Sequence, residues 1–221
     1  FICKVFIGDI TDPLKEIKQN KEKYPELSDL VQKNFTIQRK GFRSNYSFTS
    51  GIWLPSNNLS IVGNHPSFGL QLGGRGTHHG VDITMQFRFL KSANLYTVKR
   101  NNTLYKRDHF FGGYIGLDYT FYFISKTKFD LGWMAGAGYD GFDIANSSDE
   151  NHNNNYLKPL SISSFNANTG VRFNYYFNPS FYLGLQSRYN WINYANSGGT
   201  NLNGDAISID LIIGVNHKRL Y

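Results

Sequence analysis

Charge is scarce in this chain. Asp, Glu, Lys and Arg make up 18% of its 221 residues, where a soluble domain usually carries about 25%. A surface that needs so few charges does not depend on full solvation. Long apolar runs are missing too. No stretch approaches the roughly 18 apolar residues of a spanning helix. Mean hydropathy is −0.41, which excludes a bundle of membrane helices. Cys3 is the one cysteine, so no internal disulfide forms. Phe1 and Ile2 before it do not read as a lipoprotein cleavage box. Metal and phosphate motifs are also absent. His78-His79 lies in a short turn without further ligands at zinc spacing. Gly73-Gly74-Arg75-Gly76 leads into a turn and a strand, not into the helix a phosphate loop needs. No cofactor is expected.

What is present is aromatic. The chain holds 15 Tyr and 18 Phe, and aromatics make up 16% of it. Low charge, many aromatics and a polar mean hydropathy coexist in a membrane barrel, where every second residue faces a polar interior. The formal charge of +7 is carried by basic residues that are scattered or in loops. That pattern does not predict nucleic acid as a partner.

Residues 1–41 differ from the rest. Asp12 suits an N-cap and Pro13 the first helical position. A charged amphipathic helix is expected over Leu14–Phe35, with Leu27, Leu30, Val31 and Phe35 near helical spacing and a kink at Pro25. This segment reads as a periplasmic extension at the barrel base, with a plug or docking arm as the alternative.

From Phe42 onward the period is two. In Phe111–Phe123, one face reads Phe111, Gly113, Ile115, Leu117, Tyr119, Phe121, Phe123 and the other Gly112, Tyr114, Gly116, Asp118, Thr120, Tyr122. The same alternation runs through Phe68–Gly73, Val81–Phe89, Phe129–Tyr139, Phe165–Phe177, Phe181–Trp191 and Ile207–Asn216, and more weakly through Phe42–Leu54. Most of these faces extend for the roughly 9–11 residues of a tilted membrane strand, longer than the 5–6 of a soluble sheet. Short turns are expected at Thr77–Gly80, Ser125–Lys128 and Asn178–Ser180. Long polar links are expected at Pro55–Pro66, Lys91–Arg107, Ala145–Pro159 and Ala195–Gly204. Long and short alternate strictly, as they do in a barrel with short periplasmic turns and long external loops. Phe121, Phe123, Phe129, Tyr175, Phe177 and Phe181 cluster at the short-turn ends. Phe110, Phe111, Tyr139, Phe165, Tyr189 and Trp191 cluster at the long-loop ends. Two aromatic girdles at the lipid–water boundaries are expected from this.

Residues 42–221 therefore resemble the small eight-stranded outer-membrane barrels, the superfamily of the OmpA and OmpX transmembrane domains. The resemblance lies in pattern and loop order. Tyr221 matches the terminal aromatic common in such barrels, after an unusually basic His217-Lys218-Arg219. It implies an all-β, antiparallel up-and-down transmembrane barrel in a bacterial outer membrane, with both termini in the periplasm. It does not imply a peptidoglycan-binding role.

The inward faces carry Asp82, Arg88, Asp118, Asp130, Arg172, Arg188 and Asp210. Both signs of charge in a narrow lumen predict a neutralised interior network, with a narrow polar path or small-ligand site as the alternative. Arg188 and Asp210, on adjacent strands, are the first pair expected. Lys91, Lys99, Arg100, Lys106 and Arg107 fall in one link, with hairpin-like segments flanking Asn101-Asn102. They predict a basic two-stranded flap above the membrane, facing lipopolysaccharide phosphates or offering a strand edge to a protein. A solvated loop is the bland alternative.

A lipid-modifying barrel enzyme would need a hydroxyl nucleophile and a His base facing lipid. None of the six histidines is read as part of the His-x-Ser arrangement of the lipid A deacylase barrels. His109 beside Asp108 is the one suggestive position. The leading expectation is a non-enzymatic barrel with a structural or interaction role. Its expected partners are outer-membrane lipids including lipopolysaccharide, and proteins met through the N-terminal helix or the external loops. The alternatives are a lipid A deacylase-like barrel and a soluble lipocalin-like binder, whose barrel would be apolar inside.

Overall fold

Alternating side chains force successive residues of each strand to opposite sides of the sheet, and here the sheet closes on itself. The computed structural model describes residues 22–26, 42–100, 103–126, 128–143, 161–178 and 180–217, Arg100 by its backbone alone. The strands are β1 (Arg43–Pro55), β2 (His65–Arg75), β3 (His79–Arg100), β4 (Thr103–Ser125), β5 (Phe129–Asp143), β6 (Ser161–Tyr176), β7 (Phe181–Tyr194) and β8 (Leu202–His217). Each pairs antiparallel with the next, and β1 pairs with β8, from Ser44↔His217 to Pro55↔Ala206. This is the eight-stranded up-and-down barrel that the alternation predicts.

The chain divides into two units, Phe1–Phe42 and Arg43–Tyr221. In the first, the described residues 22–26 and 42 are exposed. The rest of the helix expected over Leu14–Phe35, together with Cys3, lies outside the described residues.

Three tight turns join strands at one end. Gly76 N donates to His79 O at 2.8 Å and Lys126 N to Phe129 O at 2.8 Å. In the third, the Asn178 side-chain oxygen accepts from the amides of Ser180 (2.9 Å) and Phe181 (2.7 Å), the local bonding that makes Asn a turn residue. At the other end the link after β1 holds a 3-10 helix, Asn57–Val62, which strand periodicity did not reveal. The residues between β5 and β6 lie outside those described. The link at Lys91–Arg107 is mostly strand, as the expected two-stranded flap requires: β3 has 22 residues and β4 has 23.

Burial decides which side of the barrel is greasy. In β8, Ile207, Ile209, Leu211, Ile213 and Val215 are 42–51% exposed, while Ser208, Asp210 and Asn216 are at most 3% exposed. The same inversion holds along the other strands. An exposed apolar belt around polar contents is the arrangement stable in hydrocarbon, and the reverse of a soluble lipid-carrying barrel.

Toward the long-loop end the polar lumen gives way to apolar contents. There Trp53, Leu59, Val62, Phe110, Phe142 and Leu202 are buried together inside the mouth. Phe110, expected in the outer girdle, is fully buried in this cluster. Its even number puts it on the inward face of β4, with Gly112 and Tyr114. Outward neighbours at this height, Ile52, Ile207, Phe89 and Phe111, stay exposed and apolar, so here the lumen becomes apolar as well.

Leu117 sits mid-strand on the outer face of β4, 59% exposed. Leu117→Arg is expected to lower stability in lipid vesicles by roughly 2–4 kcal/mol, read from the urea unfolding midpoint. A cost near zero would mean that this face meets water.

Candidate functional site: a filled lumen and a braced hairpin

All seven predicted lumen residues are buried inside the barrel, joined by two that sequence reading missed, Arg75 and Asp140. They form four layers. Nearest the tight turns, Arg75 meets Asp130 at 2.5 Å, and its guanidinium lies 3.9 Å from the Tyr122 ring centre. Above it, Arg172 meets Asp82 at 2.7 Å and donates to Gln71 (2.8 Å) and Gln186 (2.6 Å). Asn45 donates to the second oxygen of Asp82 at 2.8 Å. In the third layer Arg188 reaches both Asp118 (3.2 Å) and Asp210 (3.5 Å). The expected Arg188–Asp210 contact is thus present, but Asp118 is the nearer partner. In the fourth, Arg88 binds Asp140 through two nitrogens, at 2.9 and 2.6 Å. Tyr194 donates its hydroxyl to the same carboxylate. Arg88 also lies 4.6 Å from the Trp53 ring centre.

These pairs cross the lumen. Asp82 and Asp118 are direct cross-strand neighbours, and like charges so placed repel. Each instead turns to a different arginine three strands away, on β6 and β7. Five carboxylates face four guanidiniums among the described residues, so one layer carries a surplus anion. It is the third, where donors replace the missing cation. Ser67 (2.9 Å) and Gln86 (3.0 Å) donate to Asp210, and Thr84 (2.6 Å) to Asp118.

Glycines make room for the carboxylates. Gly136 faces Asp118 across β4 and β5, and a methyl there would stand 2.0 Å from Asp118 Oδ1. Gly73 faces Asp82 and Gly51 faces Asp210 in the same way. A cross-strand Gly–Asp pair on the inward face marks three of the five lumen carboxylates, Asp82, Asp118 and Asp210.

The mouth is closed by the 3-10 helix, whose Leu59 and Val62 are fully buried. His65 holds it: Nε2 lies 3.0 Å from the Val62 carbonyl, and the ring stacks 4.2 Å from Phe110. One His-x-Ser spacing does occur, at His65-Pro66-Ser67, against the expectation that the histidines contain none. Both side chains point into the lumen and are at most 1% exposed, where no membrane lipid reaches them.

Above the mouth, β3 and β4 continue as a hairpin through Arg100↔Thr103. A large bulge separates it from the barrel: Ser92, Ala93, Asn94 and Leu95 stand against Asp108 alone, between Lys91↔His109 and Tyr96↔Arg107. Beyond the bulge Tyr96 and Val98 are buried in the mouth cluster. Burial holds the Tyr96 phenol well above its ordinary range; Arg107 opposes this, and Asp108 and Asp143 add to it. The link after β7 braces the β3 edge. Thr200 N donates to Thr97 O (2.9 Å), Thr97 N to Thr200 Oγ1 (2.8 Å) and Asn196 to Thr97 O (2.9 Å). Of the expected basic group, Lys91, Lys99 and Lys106 are exposed and Arg107 is half-buried, its guanidinium 5.4 Å from the Tyr105 ring centre. Lys91 pairs with Asp108 at 3.3 Å.

No protein-family model and no curated protein sequence matches the chain. Among solved structures it is similar to Neisserial surface protein A, with 16% identity and a TM-score of 0.53, covering 81% of this chain and 98% of that one. The chain has the fold of the small outer-membrane β-barrels. Two further barrels overlap more loosely. A major outer membrane protein of Thermus thermophilus shares 12% identity at a TM-score of 0.49, over 80% of this chain and 99% of that one. Ail, the attachment invasion locus protein of Yersinia pestis, shares 12% at 0.48, over 79% and 97%.

Within this outer-membrane barrel fold the layers differ in how they tolerate loss. Asp82→Asn leaves Arg172 buried without a carboxylate and is expected to cost roughly 3–5 kcal/mol. Asp210→Asn removes the surplus anion and leaves Arg188 with Asp118, so about 1 kcal/mol is expected. Urea midpoints of the two variants in the same detergent compare them. Equal losses would contradict the assignment of the spare charge to the third layer.

Proposed function

We propose that this chain is a non-enzymatic barrel of a bacterial outer membrane, with both termini in the periplasm, that mounts external structure for interaction. One observation carries the reading: the lumen is filled from end to end, by four charged layers and then an apolar stopper. A filled lumen gives solutes no route and gives the barrel a rigid frame. The buried His65 and Ser67 leave the deacylase-like alternative without a lipid-facing nucleophile and base at that spacing. What the frame presents is the braced hairpin and the links beside it. The partners proposed are lipopolysaccharide and proteins that dock on the external loops or the N-terminal helix, including the other subunits of an envelope complex.

The purified chain in planar bilayers is expected to show no stepwise conductance. Incubated with radiolabelled lipid A, it is expected to release no acyl chain. Either steady single-channel steps or acyl release would reject the reading.

A further inference from the structure

Where the external hairpin leaves the barrel, β3 breaks its own alternation. Asp82, Thr84, Gln86 and Arg88 all turn inward and are at most 2% exposed. Leu90 is next in that series and pairs with Phe110, whose side chain is fully buried in the mouth. By parity Leu90 belongs inside as well. Instead it is 56% exposed, beside Phe89 at 39%, and its φ is +128°. That backbone conformation suits glycine and strains a leucine. Two consecutive outward side chains are the result.

The side chain that takes the place of Leu90 is His65. On the inward row Trp53 pairs with His65 across β1 and β2, and Leu90 with Phe110 across β3 and β4. Neighbouring strands lie about 4.8 Å apart, so β2 and β4 are separated by roughly twice that, with β3 between them. Yet the His65 and Phe110 rings stack at 4.2 Å. They meet in front of β3, in the space an inward Leu90 would fill. The nitrogens of His65 reach both sides of this seat. Nε2 lies 3.0 Å from the Val62 carbonyl, at the end of the 3-10 helix. Nδ1 lies 3.4 Å from the Phe89 carbonyl, in the peptide that leads into Leu90. The bulge that follows Lys91 meets the same helix. Asn94 donates to the Ile61 carbonyl at 3.5 Å, and a methyl on Gly63 would stand 2.6 Å from Ala93 Cβ.

We propose that this seat is a two-state junction that couples the external hairpin to the stopper of the mouth. In one state His65 fills the seat, the 3-10 helix is tethered through Val62, and Leu90 is held outward against its backbone preference. In the other, Leu90 turns inward onto Phe110 and its backbone relaxes, while His65 is displaced and the tether to Val62 is lost. One seat cannot hold both side chains, so the placements exclude each other, and a packed junction of this kind flips rather than deforms. Both placements of Leu90 are apolar, because outside it adjoins the exposed pair Phe89 and Phe111. The balance is therefore between backbone strain on one side and the aromatic stack plus the tether on the other. A contact that shifts the hairpin pulls on residues 91–95 and biases the seat, and a change in the stopper biases it from the other end. The junction is a property of the chain itself and stands or falls independently of the interaction role proposed above.

The test uses the full chain, methyl-labelled at leucine, in detergent micelles. NMR reads the contact between the Leu90 methyls and the Phe110 ring, amide exchange is followed in the 3-10 helix, and folding is checked by heat-dependent gel mobility. Wild type is expected to show no Leu90–Phe110 contact. His65→Ala empties the seat, and is expected to bring that contact in and to speed exchange in the helix severalfold. His65→Phe keeps a ring in the seat without its nitrogens, so exchange is expected to speed up while Leu90 stays outside. Leu90→Gly removes both the competitor and the strain, and is expected to slow exchange severalfold. From the hairpin side, Asn196→Ala with Thr200→Val loosens the bracing of Thr97, and the Leu90–Phe110 contact is expected to appear in part. Leu90 remaining outward in His65→Ala overturns the switch, because the bulge alone would then fix it. Leu90 unmoved in the brace variant overturns the coupling. Should His65→Ala fail to fold, Leu90→Gly decides: exchange as fast as wild type, or faster, overturns the proposal.

Discussion

A strand that crosses hydrocarbon must pair both of its edges, and closing the sheet is the way a β-structure does so. Closure at eight strands leaves a lumen about as wide as the side chains that fill it. Everything inside this protein answers to that limit. Each arginine reaches a carboxylate across the lumen, and glycines on the neighbouring strand leave room beside Asp82, Asp118 and Asp210. The buried charges are tolerated because each has oppositely charged and hydrogen-bonding partners held in place around it.

The second constraint is that the outside changes with height. Along the membrane belt the solvent is lipid, so apolar groups turn outward and polar ones inward. Toward the long-loop end the lumen too turns apolar, and Trp53, Phe110 and Phe142 pack together inside it. The bulge in β3 falls at this transition. It puts Tyr96 and Val98 over the mouth while leaving lysines on the far side of the hairpin.

Much of this was legible in the sequence, because period-two alternation and loop lengths are local signals. The eight strands, their antiparallel order and the inward set from Asp82 to Asp210 follow from them. What was not legible depends on distance in space. Register on adjacent strands points to Arg188–Asp210, whereas the nearer partner, Asp118, comes from across the barrel. Asp140 shares the parity of Asp130 but lies one residue past the aromatic taken as the end of its strand. Arg75 was hidden in a glycine run, past Gly73 where the alternation of its strand was taken to end. Phe110 was assigned to the girdle by position along the strand, although its parity places it inside. The 3-10 helix carries only Leu59 and Val62 as its buried face, too few to register as a period.

The facing carboxylates of Asp82 and Asp118 bear on how such a barrel assembles. When β3 and β4 first come together as neighbours, these two anions confront each other with neither arginine yet in reach. Relief arrives from β6 and β7, the strands that follow later in the chain. A sheet lacking β6 and β7 would therefore carry an electrostatic penalty that the finished ring does not, and the cross-lumen pairs act as a latch on the pairing of β3 with β4.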